Sequence, residues 1–84
     1  MDKHELSRFD LLVTEQLETM DKLLNLQSEI ERYQQIEAGL LHEKDERLHS
    51  VQKEINRMKL ELEMIQKLFE QQTEEVIKTY QSSI

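Results

Sequence analysis

Apolar residues recur at seven-residue spacing along nearly the whole chain, and no proline interrupts the pattern. With Leu6 as heptad position a, Val13, Met20, Gln27, Gln34, Leu41, Leu48, Ile55, Leu62, Phe69 and Val76 follow at the same position. Position d carries Phe9, Gln16, Leu23, Ile30, Glu37, Lys44, Val51, Met58, Ile65, Gln72 and Thr79. A repeat of this kind gathers apolar side chains into one stripe of an α-helix, and that stripe must be buried against another helix. The chain is therefore expected to be all-α and of coiled-coil type. A β fold is disfavoured by the dominance of Glu, Leu, Gln and Lys and by a single glycine, Gly39.

The stripe is not uniform. From Leu48 to Phe69 seven consecutive a and d positions are apolar, and Glu54, Glu61 and Lys59 supply a polar flank, as in a narrow helix-helix contact. In the first half Leu12, Leu26, Tyr33 and Leu40 fall at g and Leu17 and Leu24 at e, a face broad enough for a bundle. Between the halves Gln34, Glu37 and Lys44 weaken the seam around Gly39. Equal arms, the polar gap and the glycine predict a helical hairpin with arms 5–38 and 45–80. Gly39 would then be a left-handed C-terminal cap followed by an inward Leu40, with Asp45 capping the second helix and Glu46 in its first turn. Unbroken heptad phase and the lack of a strong breaker from His42 to Arg47 support the alternative, one continuous coiled-coil helix about 120 Å long.

Local signals agree with long helices. Ser7 and Asp10 resemble a capping box, and Glu18–Lys22, Glu43–Arg47, Glu63–Lys67 and Glu74–Lys78 are acid-before-base pairs four residues apart. The tail from Gln81 to Ser83 is expected to fray.

Eighty-four residues form one domain, 1–84, whose core is marginal without further stabilisation. Cysteine is absent, so neither disulfides nor thiolate-bound zinc supply it, and self-association, most simply as a homodimer, is expected. Eighteen acidic residues against eleven basic ones leave a net charge of -7, which repels phosphate backbones and anionic lipid surfaces. No nucleic acid or membrane partner is expected. The polar start, Met1 to Arg8, lacks an apolar signal core, and a cytoplasmic location is the expectation.

No glycine-rich phosphate loop, serine elbow or cysteine nucleophile is present, so no catalytic residues, cofactor or metal site are assigned and no enzymatic activity is expected. The acidic residues read as solvated surface, without the burial or close like charge that acid–base catalysis draws on. His42, Glu46 and His49 would share one face of a continuous helix, but the histidines would be about 10 Å apart along it, too far for one zinc ion. His42–Glu43 resembles the His-Glu pair of sensor-kinase phosphotransfer helices. The family's following Asn or Thr and Pro are replaced by Glu46 and Arg47, which leaves phosphotransfer through His42 a remote alternative.

The residues assigned to an interface are those of the seam: Phe9, Val13, Met20, Leu23 and Ile30 facing Leu48, Val51, Ile55, Met58, Leu62, Ile65 and Phe69. Leu60, Met64 and Leu68 form a second stripe, read either as a docking row or as ordinary packing in a bundle. Gln16, Gln27, Gln34 and Gln72 either fix register from within the core or mark where the seam meets water.

LLNLQSEIERYQ from Leu23 to Gln34, with Met20-Asp21-Lys22 before it and Glu74-Glu75-Val76-Ile77-Lys78 near the end, resembles the small YgaB-like family of Bacillus-type bacteria. The resemblance covers most of the chain. It implies a bacterial cytoplasmic protein of uncharacterised function and assigns no catalytic residue. The residues themselves point to a coiled-coil protein acting through self-association and protein–protein interaction. The alternative is a small acidic regulator or chaperone for a partner's amphipathic helix.

Overall fold

The computed structural model describes residues 7–83 and consists of two helices, α1 (Arg8–Glu43) and α2 (Leu48–Ser83), joined by a short turn and packed side by side. The molecule measures 65 × 22 × 13 Å, so it is the hairpin and not the rod. At 1.5 Å per residue each arm is about 54 Å long.

Ser7 starts α1 as expected. Its backbone is extended (φ -65°, ψ 161°), and its Oγ accepts a hydrogen bond from the Asp10 N–H at 3.1 Å. That bond occupies one of the amide donors left open at a helix start.

The turn is not where the glycine is. Gly39 lies inside α1 without a positive φ, and the left-handed residue is Lys44 (φ 57°, ψ 43°). The Asp45 N–H donates to the Leu40 carbonyl at 3.0 Å and the Lys44 N–H to the Leu41 carbonyl at 3.3 Å, the paired bonds of a Schellman cap. The expected Gly39 cap, and the arms ending at 38 and 80, are corrected accordingly; positions 5 and 6 lie outside the described residues. Extending α1 past Gly39 adds helix hydrogen bonds and carries Leu40 on the helix, where it is buried, against about 1 kcal/mol for a glycine inside a helix.

A Cβ built on Gly39 meets nothing within 4 Å beyond its own chain neighbours and the local helix backbone. Gly39→Ala is therefore expected to stabilise the hairpin by about 1 kcal/mol, read as a higher midpoint in urea. A lower midpoint would place the chain reversal back at Gly39.

Asp45 closes the other side of the turn. Its Oδ1 accepts from the Arg47 N–H at 2.8 Å, and the Arg47 guanidinium grips both carboxylate oxygens at 3.0 and 2.8 Å. Glu46 stands in the turn before α2, not in its first helical turn. The hydrogen bonds from the Arg47 side chain, then from its backbone N–H, hold the Asp45 carboxyl at about 2, below its usual 3.8. A depressed carboxyl stabilises the fold above its unfolded pKa and loses that contribution as pH falls through the folded one. The thermal midpoint of the wild type should therefore approach that of Asp45→Asn between about pH 4 and pH 2. A constant gap across that window would exclude the clasp.

The core lies in the half nearer the turn. Leu26, Ile30, Ile55 and Met58 are buried together, with Tyr33, Val51, Leu62 and Ile65 packed against them, and Leu40 is buried closer to the turn. Towards the free end the filling becomes polar. Buried Thr19 donates its hydroxyl to the Glu15 carbonyl, and the Gln16 amide donates to the Thr73 hydroxyl, which in turn donates to the Phe69 carbonyl. The Phe9 and Tyr80 rings meet at a tilt of 47°, 5.8 Å between centroids, and Arg8 pairs with Glu75 at 3.0 Å.

None of the four predicted i,i+4 acid–lysine or acid–arginine pairs forms a salt bridge among the described residues. Arginine supplies the cation in each bridge that does form, as in Arg57 with Glu54 and Glu61, Arg32 with Glu29, and Arg47 with Asp45. The guanidinium fork is preorganised and weakly hydrated, whereas a lysine ammonium retains its water. The C-terminal turn is helical through Ser83, with the Ser82 hydroxyl bonded to the Lys78 carbonyl, in place of the expected frayed tail.

Candidate interaction surface

The two helices use different heptad rows to meet. In α2 the expected a and d residues Leu48, Val51, Ile55, Met58, Leu62, Ile65 and Phe69 are buried or half-buried. In α1 the inward rows are d and g: Phe9, Leu12, Gln16, Thr19, Leu23, Leu26, Ile30, Tyr33, Glu37 and Leu40. Leu41, at position a, is 60% exposed while its neighbour Leu40 is 8% exposed. The unbroken a/d phase therefore does not describe the packing. A turn sets its own rotation between the two helices, so their seams need not share a heptad register.

Turning α1 inward along g leaves Leu41 of row a and the leucines of row e outside the seam. Val13 and Met20, assigned to the interface, are half-buried as Phe9 and Leu23 are, whereas Leu17 and Leu24 stand 63% and 51% exposed. On α2, Leu60, Met64 and Leu68 are all exposed, with Met64 at 71%. No large side chain among the described residues is completely enclosed. One hairpin thus covers the central seam and leaves two apolar rows in water.

The sequence contained a signal for the shift. Where position a carries Gln27 and Gln34, position g carries Leu26, Tyr33 and Leu40. The apolar choice in that stretch is g, and burial follows it. The glutamines divide accordingly: Gln16, Gln27 and Gln72 are half-buried and Gln34 is exposed. The Gln72 Oε1 is buried without a hydrogen-bond partner.

His42 lies in the last turn of α1, Glu46 in the connecting turn and His49 in the first turn of α2, so the single helical face expected for them does not form. No group of three His, Asp or Glu side chains among the described residues is placed to hold a metal ion. An open hollow at the free end is lined by Arg8, Glu75, Lys78, Thr79 and Ser82, a polar surface feature beside the Arg8–Glu75 pair. No helix of the described residues is long and apolar enough to cross a membrane.

Residues 8–83 match the family described as YgaB-like protein. A Bacillus subtilis (strain 168) protein described as uncharacterised protein YgaB is 49% identical over 84 residues, covering 99% of this chain and 74% of its own length. No solved structure matches.

Proposed function

Because the chain belongs to the YgaB-like protein family, whose Bacillus subtilis relative carries no described activity, we propose a function from its surface: a non-enzymatic helical hairpin that works by packing against other helices, its own copies first. The observation that carries this reading is the row of exposed leucines outside the seam, Leu17 and Leu24 on α1 and Leu60 and Leu68 on α2. Isolated apolar residues on a surface need no explanation, but rows at helical spacing do.

Light scattering on the purified chain is expected to give a mass above 10.2 kDa, falling on dilution and after Leu17→Ser with Leu24→Ser. A fully helical monomer at all concentrations up to ~100 µM would end this reading. The second reading, a docking surface for the amphipathic helix of another protein in a cytoplasmic setting, is favoured by Met64. A polarizable, flexible side chain at the centre of an exposed leucine row adapts to varied partner helices.

A further inference from the structure

The two exposed rows differ in the charge around them. On α1, Asp10, Leu17, Leu24 and Glu31 follow one another at seven-residue intervals, with Asp21 between the leucines, all exposed. On α2, Lys53, Leu60 and Lys67 do the same, with Met64 and the exposed Glu63 between Leu60 and Lys67. Over the whole helices the difference is one of degree: α1 carries eight acidic and three basic residues, a net of -5, and α2 six and five, a net of -1. None of Asp21, Glu31, Lys53 and Lys67 forms a salt bridge among the described residues.

Resting on the self-association proposed above, we infer that the contact between copies is α1 of one chain against the outer face of α2 of another. Pairing like rows would set Asp21 and Glu31 against their own copies, or Lys53 and Lys67 against theirs. Unlike rows bring acid to base around leucines that match in span. Leu17 to Leu24 covers about 10.5 Å of helix and Leu60 to Leu68 about 12 Å. Charge at the rim then selects the partner row while the leucines supply the buried area.

The test is a charge exchange on the full chain, read by sedimentation velocity at low salt. Asp21→Lys with Glu31→Lys makes both rows basic, and Lys53→Glu with Lys67→Glu makes both acidic. Each double variant alone should associate roughly tenfold or more weakly than the wild type. An equimolar mixture of the two should recover the wild-type mass, because the basic α1 of one then meets the acidic α2 of the other. Recovery on mixing is also a result that unfolded chains would not give. If either variant alone associates as the wild type does, or the mixture stays monomeric while helical by circular dichroism, the α1-to-α2 pairing is wrong. If the wild type is itself monomeric, the self-association reading falls with it.

Discussion

Ile55→Asp is expected to unfold the hairpin. Ile55 is 3% exposed in a buried cluster with Leu26 and Ile30 of α1 and Met58 of its own helix. A carboxylate there has no cation described among its core neighbours, and an unpaired buried charge costs several kcal/mol. A single core in a chain this short rarely supplies more than about 3–5 kcal/mol, so the substitution removes most or all of the stability. Loss of the helical signal at 222 nm is the expected reading. The control is Asn56→Asp, at the exposed neighbouring position on the same helix, which should leave helicity intact. Equal helicity for Ile55→Asp and the wild type would show that this cluster does not hold the two helices together.

The second large effect separates two adjacent leucines. Leu40→Ala should cost about 2–4 kcal/mol, the range for deleting most of a buried leucine side chain. Leu41→Ala should cost less than about 0.5 kcal/mol, as substitutions at exposed positions do. Their exposures, 8% and 60%, place the first on the seam and the second on the flank. The heptad written from the sequence has them reversed, with Leu41 at core position a and Leu40 at g. Urea melts of the two variants therefore decide which row of α1 faces α2. A larger loss for Leu41 would restore the a/d seam and turn α1 about its own axis.

Cost at Leu40 also bears on the turn. Its carbonyl accepts the Asp45 N–H, while its side chain is buried at the closed end of the hairpin, so one residue joins the cap to the core. Alanine keeps the carbonyl, and the expected loss is therefore that of packing alone.

Much of the local structure was legible because its causes act over three or four residues. Ser7 caps α1 through a hydrogen bond within its own turn, and the Asp45 carboxylate accepts the Arg47 N–H two residues on, in the turn that leads into α2 and not as the cap of that helix. The a and d rows of α2 from Leu48 to Phe69 are consistently apolar, and they are the rows that turn inward. The exposed Leu60, Met64 and Leu68 row was likewise visible as a second stripe before any partner helix was considered. Salt bridges were less legible, since a spacing of four residues permits a contact between exposed side chains without fixing it.

Sequence alone determined that this chain is helical, that its helices are long, and that apolar residues in α1 cover more than one narrow stripe. Those properties follow from residue propensity and seven-residue spacing, which each helix carries in itself. Only the tertiary structure decided where the chain reverses and which stripe of α1 is buried. The pairs a with d and d with g both alternate steps of three and four residues, so either forms a continuous seam on an isolated helix. The choice between them arises when Leu26, Ile30, Tyr33 and Leu40 pack against α2 and the Lys44 turn sets the rotation between the helices. That choice leaves Leu17 and Leu24 in solvent, where the proposed contacts with other copies begin.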